Sequence, residues 1–485
     1  MLQPKLRHND YRPLLEAATD SPRLSVSVII PAHGQQERLD VVLAALAAQT
    51  YPDELLEVVV VDDGSQPALQ LPEIRPPHCR IIEPLPGGWS SAHATNSGVA
   101  AAEGEVVLRL DSDMLAWHNH VASQMRFHHQ IDYALVLGHK RFVDYAPGQL
   151  EPAKVHDTVA AGAASSMFQE SDPHWIEAII DRTAGLAEEN HRAFRVTTGA
   201  TWSMHRDLFK SAGGFDASMV LGSDTEFGHR GAQAGAVFIP DQQSSAWHLG
   251  RTQINGRRDD AKRYRRPFIA NRVPELDPKR PRATRSWVTP LVDVFLPVAD
   301  FVDTERCVNA LLAGSTPDIR VNLLATSWPD PASSSRHPLD DPHVDQQLLR
   351  ELYRGEARVR LVSAHEEDAA VPYRLYISPG HAPSKHCVRD LVGELNRRQL
   401  GCARIAAGDN EWRLERASAL SRARHLAAPG EDLDAVIEAV WGVGDVELSG
   451  PSRSSRPDPA PRRRGLVPAG RATKRRMGRL LRRGR

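Results

Sequence analysis

Cysteine is scarce: Cys79, Cys307, Cys387 and Cys402 are scattered through 485 residues, with no C-x-x-C pair. That argues against a disulfide scaffold or a zinc ribbon and fits a reducing compartment, so a cytoplasmic location is expected. Long apolar runs are missing as well. No stretch approaches the roughly 18 residues a membrane-crossing helix needs, and no apolar signal-peptide core follows Met1. An excess of one charge is absent from the chain as a whole, whose formal net charge is −1. That balance hides a split, because thirteen Lys or Arg and one acid lie between Pro451 and Arg485. An acidic partner is therefore expected for the tail alone. What remains is ordinary globular composition, 41% hydrophobic and 25% charged, long enough for two or three domains.

Short β-branched runs alternate with helical spacing in the first half. Strands are predicted at Ser25–Pro31, Leu56–Val61 and Arg80–Glu83, and helices at Gln35–Gln49 and Ser91–Glu103. Such alternation predicts an α/β domain around a largely parallel sheet. Residues 1–24 read as a polar arm. Arg257–Arg285, basic and proline-bearing, reads as a loop or linker, with Arg257–Arg266 placed to close over a bound ligand. The pattern then restarts: Val292–Trp328 parallels Val26–Ser65, and Tyr373–Gly380 parallels Glu105–Met114. In the second copy Thr326-Ser327 stands near the place of Asp62-Asp63, and Ser378-Pro379-Gly380 replaces Asp111-Ser112-Asp113. A duplicated unit without its acids is expected to serve packing, dimerisation or acceptor binding. The expected units are an arm (1–24), a catalytic domain (25–256), a linker (257–285), a degenerate α/β domain (286–448) and a basic tail (449–485).

The most informative stretch is Glu105–Met114, EVVLRLDSDM. An apolar strand ends in two aspartates, Asp111 and Asp113, which are hard oxygen ligands at the carboxyl end of a strand, where open α/β sheets bind ligands. A metal-held diphosphate is expected there. A second D-x-D, Asp432–Asp434, lies in a helical segment and is given no function. Asp62-Asp63-Gly64-Ser65 ends the second strand, and as an isolated motif it would be a turn with good Asx chemistry.

Taken in order, SVSVIIPAHGQQERL, VVVVDDGS, SSAHATNSGVAAAEGEVVLRLDSDM and GGFDASMVLGSDTEFGHR resemble the family-2 glycosyltransferases of GT-A fold. The later part, through AWHLGR, is similar to galactosyl- and N-acetylgalactosaminyl-transferring relatives. The resemblance covers about residues 25–250. It implies that Pro31 and Ala32 meet a nucleobase through the backbone, and that Asp62 or Asp63 accepts a uracil N–H. It implies Asn96, Asp111, Ser112, Gly199 and Ala200 around the donor, with Trp202 and Ser223 towards the sugar or acceptor, although Trp202, an aromatic in a strand, is equally placed to belong to the core. Asp111, Asp113 and His248 would hold Mn²⁺ or Mg²⁺, and Asp224 would be the base that deprotonates the acceptor hydroxyl. Capping the helix that Asp224 opens is the competing role, and Glu226 with Arg230 reads as a helix-surface pair. Relatives carry Ala-Arg-Asn where this chain has Ala94-Thr95-Asn96, so His93 or Arg251 is left to approach the diphosphate.

The expected activity is inverting, metal-dependent transfer from a nucleotide sugar, UDP-linked by resemblance, to a hydroxyl of a glycan, cell-envelope or lipid-linked acceptor. A non-catalytic nucleotide-sugar scaffold is the alternative. A nucleotidyltransferase would need a Gly-rich basic loop where Ala32-His33-Gly34-Gln35-Gln36 stands. For the tail, peripheral contact with anionic lipid is expected through Met477, Leu480 and Leu481 amid its charges. Specific nucleic-acid binding is not expected there, because no aromatic residue interrupts those charges. Oligomerisation is left open.

Overall fold

The β-branched runs become strands buried on both faces, as parallel strands between helices must be. In the computed structural model, which describes residues 3–17, 21–189, 191–250, 256–276, 280, 285–330, 337–408 and 410–447, these strands form two sheets. Arg251 and the basic tail lie outside the described residues. The first sheet contains β1 (Val26–Ala32), β2 (Leu56–Asp62), β3 (Cys79–Ile82), β4 (Val106–Leu110), β5 (Met114–Ala116), β6 (Ala134–Val143), β7 (Asp172–Pro173), β8 (Thr201–His205) and β9 (Val237–Leu249). Its order is β3-β2-β1-β4-β8-β6-β9-β5, with β7 on β6. Strands β3, β2, β1 and β4 are parallel, whereas β8 runs antiparallel between β4 and β6. The carboxyl ends of β1, β2 and β4 therefore open on one rim, which places Ala32, Asp62 and Asp111 together.

The second sheet contains β10 (Val292–Pro297), β11 (Ile319–Leu324), β12 (Val359–Val362), β13 (Tyr373–Tyr376), β14 (Cys402–Ala407), β15 (Asn410–Arg416) and β16 (Val443–Glu447). Its order is β12-β11-β10-β13-β15-β14-β16. The first five strands repeat the path β3-β2-β1-β4-β8, including the antiparallel fifth. The register repeats too. Val26 stands opposite Leu56 and Val106, and Val292 stands opposite Ile319 and Tyr373. Counting on from these pairs puts Ser378–Gly380 where Asp111–Asp113 stand. It puts Ala325-Thr326, one residue earlier than expected, in the place of Asp62-Asp63.

Two sequence expectations are corrected. The segment read as a basic linker contains a helix, Arg258–Arg272, with Asp259 and Asp260 in its first turn complementing the helix dipole. The residues read as a polar arm are packed: Leu6, Tyr11 and Leu14 join a core with Tyr133, Val237, Ala419, Leu420 and Trp441, drawn from both halves of the chain. The second D-x-D behaves as a cap, with Asp432 accepting from the Asp434 amide at 3.2 Å at a helix N-terminus. Among the described residues no helix is long and apolar enough to cross a membrane.

Candidate active site at the rim of the first sheet

β4 reads VVLRL, and its one polar residue, Arg109, has a side chain only 4% exposed. A buried guanidinium needs carboxylates, and it has two. Nη2 and Nε donate to Oδ1 of Asp111 at 2.9 and 3.2 Å, and Nη1 donates to Oδ1 of Asp224 at 3.0 Å. Asp224 belongs to the Ser223–Gln233 helix, whose N-cap is Gly222 in the left-handed region (φ 91°), with no side-chain cap. The carboxylate of Asp224 is therefore free of capping duty and faces the strand end. Burial raises its pKa, with Arg109 opposing that shift. Burial depresses the pKa of Arg109, but Asp111 and Asp224 outweigh it and the guanidinium stays charged. Gly199 is required at this junction. A Cβ there would lie 2.7 Å from Nη2 of Arg109 and 2.9 Å from Oδ1 of Asp224.

Asp113 faces the other way. β5 follows it and pairs with β9, setting Met114 opposite His248. Nε2 of His248 is 3.7 Å from Oδ1 of Asp113, an oxygen that is buried with no hydrogen-bond partner. Nδ1 of His248 lies 3.0 Å from the Gly250 carbonyl. A proton on Nδ1 leaves the Nε2 lone pair directed at Asp113, the arrangement of a metal-ligating imidazole. Burial raises the pKa of Asp113, while His248 opposes it. Among the described residues no three acidic, His or Cys side chains already form a closed metal cluster. Asp113 and His248 converge, and Asp111 stands beside them with Oδ1 committed to Arg109. An orphaned buried carboxylate oxygen beside an oriented imidazole fits a divalent cation.

A second buried cation completes the floor. Lys140, on β6, is 3% exposed and donates to Oγ1 of Thr198 at 2.7 Å. Burial lowers its pKa to about 8, with Asp111, Asp224 and Glu177 pulling it back up. Beyond it, Nε2 of His139 is 3.8 Å from Oε1 of Glu177.

At the opposite end of the rim the two loop aspartates divide their work. Asp62 accepts from the Ser65 amide on Oδ1 and from the Leu69 amide on Oδ2, both at 2.9 Å. Burial pushes its carboxyl up, but these bonds outweigh that and hold it below the usual range. Asp62 thus shapes the loop. Asp63 accepts from the Ser90 amide on Oδ2 at 3.2 Å, and among the described residues its Oδ1 makes no hydrogen bond. Each oxygen of Asp62 already holds a loop amide, whereas Oδ1 of Asp63 does not. Pro31 and Ala32 are buried at the end of β1, and the Ala32 carbonyl accepts from the Asp63 amide at 2.8 Å.

Residues 27–211 match the profile described as Glycosyl transferase family 2. That segment belongs to this family. Chondroitin synthase of Escherichia coli is 24% identical over 360 residues, spanning 70% of this chain and 50% of that protein. The uncharacterized glycosyltransferase YfnE of Bacillus subtilis is 32% identical over 117 residues, 24% of this chain and 30% of its own length. Among solved structures, a mannosyltransferase of Pyrobaculum calidifontis in complex with GDP-Man and Mn²⁺ is 20% identical, with a TM-score of 0.33, covering 50% of this chain and 63% of that one. The chain spans half or less of the length of these curated relatives.

Within the family-2 segment and the residues just after it, the structure brings Asp111, Asp113, Ser112, Gly199, Asp224 and His248 to one rim. It removes Trp202 from any acceptor pocket. That indole is 0% exposed and sits among Phe209, Phe215 and Phe227. Ser223 and Ala200 are buried beside the site at 4% and 6% exposure. Asn96 spends both ends of its amide on the Phe215 backbone, at 2.9 Å each, so it anchors the Gly213-Gly214-Phe215 turn. His93 is tied to the Leu85 carbonyl at 2.7 Å. Glu226 and Arg230 form the i,i+4 pair at 2.6 Å, but it is largely buried and not on the helix surface as expected. Arg109, Lys140 and Arg38 were not foreseen. Arg38 packs against Gly250, its charge acts on Asp113, and its Nε is buried without a partner. A lone cation inside an apolar strand was the readable signal for Arg109, whereas Lys140 stands between His139 and Arg141 in the polar half of its strand.

Proposed function

We propose that the chain is an inverting glycosyltransferase that moves a sugar from a nucleotide diphosphate, UDP in the first instance, to a hydroxyl of a glycan, cell-envelope or lipid-linked acceptor. The observation that carries this reading is the shared guanidinium. Asp111 and Asp224, distant in sequence, meet on Arg109 at the carboxyl end of β4. Asp113 and His248, with Asp111 beside them, are the side chains that would hold Mn²⁺ or Mg²⁺, which when bound supplies charge neutralisation for the leaving diphosphate. Asp63 receives the base N–H, against the backbone of Pro31 and Ala32. Arg38 takes the place beside the diphosphate that an Arg before Asn96 holds in relatives. Asp224 accepts the proton of the incoming hydroxyl. Its hydrogen bond to Arg109 opposes the upward push of burial on its pKa and fixes its direction. The attack is then a single in-line displacement, with the acceptor oxygen bonding to the anomeric carbon as the bond to the diphosphate breaks.

Incubating the protein with UDP-, GDP- and dTDP-linked hexoses and Mn²⁺ tests the reading through slow donor hydrolysis, without a known acceptor. Asp224→Ala is expected to abolish transfer while retaining calorimetric binding of UDP with Mn²⁺. Asp113→Ala is expected to lose that binding heat. Donor binding without turnover in the wild type would favour the scaffold reading. That role suits the second sheet, where Ser378–Gly380 lack carboxylates.

A further inference from the structure

We infer that Trp175, with His174 and Glu177, forms the subsite for an uncharged pyranose of the acceptor. This rests on the glycosyltransferase reading and names the side of the rim from which the hydroxyl arrives. β7 pairs with β6, setting Asp172 opposite Phe142 and Pro173 opposite Arg141, and so delivers the next residues to the wall beyond Lys140. From the metal-facing imidazole outward the rings form a continuous series. His248 to Phe142 is 4.5 Å between centroids, Phe142 to His174 is 5.5 Å, and His174 to Trp175 is 5.5 Å.

The series ends in open solvent, where Trp175 is 61% exposed. An indole left this exposed at the edge of a polar rim has no role in the core. Its flat apolar face matches the C–H face of a sugar ring. The polar partners a sugar requires stand next to it. Nδ1 of His174 is buried with no hydrogen-bond partner, and the carboxyl of Glu177 stands near Lys140 and His139. An imidazole nitrogen donates to or accepts from a ring hydroxyl according to its tautomer, and a carboxylate accepts from ring hydroxyls. Glu177 also selects by charge, since a uronic acid or a sugar phosphate would meet its carboxylate at close range. Lys140 links this wall to Asp224, so a sugar stacked on Trp175 directs a hydroxyl towards the base.

Saturation-transfer NMR with methyl β-D-glucopyranoside, methyl β-D-galactopyranoside and the methyl glycoside of glucuronic acid reads this subsite without catalysis. Wild type is expected to saturate the ring C–H protons of the neutral glycosides and not the uronide. Trp175→Ala should reduce that signal about tenfold and Trp175→Phe should restore most of it. Glu177→Gln should admit the uronide. UDP binding with Mn²⁺ and donor hydrolysis should be unchanged in Trp175→Ala, whose fold is checked by circular dichroism. Equal saturation in wild type and Trp175→Ala, or none in a wild type that binds UDP, would overturn the subsite while leaving the transferase reading intact. Loss of UDP binding in the wild type would strike the transferase reading instead.

Discussion

Arg109 makes hydrogen bonds to both halves of the reactive rim from within a strand that is otherwise apolar. Breaking a buried ion pair by removing one partner costs about 3–5 kcal/mol when both groups are dry. Here the carboxylates of Asp111 and Asp224 are 29% and 31% exposed, so Arg109→Met should cost about 1–3 kcal/mol in a urea melt. Transfer should fall further than stability, by about a hundredfold, because Asp224, the proposed base, loses its direction. Arg109→Lys separates charge from geometry: a single ammonium cannot serve both carboxylates in the guanidinium's fork, so stability should recover and transfer should not. Equal recovery of both would show that charge alone matters. Asp111 was legible in the sequence because it follows a strand, where polarity interrupts an apolar run, and Asp224 because it opens a helix within a segment that resembles family-2 glycosyltransferases. Arg109 was not legible because strand patterning treats a lone interior cation as noise, although burial makes such a residue expensive without a purpose, and Lys140 was hidden in the polar run His139-Lys140-Arg141.

At the scale of elements, the turn before β8 and the helix that begins at Ser223 fit together only because Gly199 has no side chain. Gly199→Ala would place a methyl within 2.7 Å of the Arg109 guanidinium and 2.9 Å of the Asp224 carboxylate, neither of which is free to withdraw. The expected outcome is a large loss of transfer with retained UDP binding, since the proposed base contact at Asp63 follows a different strand, β2. Full activity in Gly199→Ala would show that the helix can shift at no cost. The strand–helix alternation of the first sheet was readable from period and β-branching. The Arg258–Arg272 helix was not, because Pro267 and a dense run of cations resemble a loop. Tertiary contacts hold it: Arg272 bonds Asp216 at 2.6 Å, and Ile269 and Arg265 pack against Gly222, the N-cap of the helix that carries Asp224. Trp202 was open between pocket and core, because an aromatic in a strand looks the same from sequence in either place, and its burial among phenylalanines decides for the core.

Across the whole molecule, the repeat of strand order was visible in the sequence, but the way the N-terminal residues join the two sheets was not, since the residues involved are far apart in the chain. One such join is titratable. Nε2 of His425 is 2.6 Å from Asp132, a hydrogen bond that raises the pKa of His425. A folded pKa above 6.5 means the pair stabilises fully below that value and loses its effect as pH rises through the raised one. The partners are 44% and 35% exposed, so the contribution should stay below about 1 kcal/mol. The Tm difference between wild type and His425→Asn should therefore be small near pH 6 and vanish at alkaline pH.

The stronger join is Arg422, 2% exposed, which donates to the carbonyls of Gly235 at 2.8 Å, Ala236 at 3.0 Å and Leu6 at 3.3 Å, and also to that of His8. Burial lowers its pKa to about 10, so it remains charged at neutral pH, with carbonyl dipoles in place of a carboxylate. Arg422→Met keeps the volume but leaves four carbonyls without this donor. At about 1 kcal/mol for each bond, the loss should be about 3–4 kcal/mol. Because those carbonyls belong to the N-terminal segment and to the start of β9, while Arg422 lies on a helix after β15, the loss should fall on the coupling between the sheets. Urea unfolding should then change from one transition to two, and a protease should cut within residues 3–17 before either sheet opens. A single transition at an unchanged midpoint in Arg422→Met would show that the apolar contacts of Leu6, Tyr11 and Leu14 hold the halves together without it.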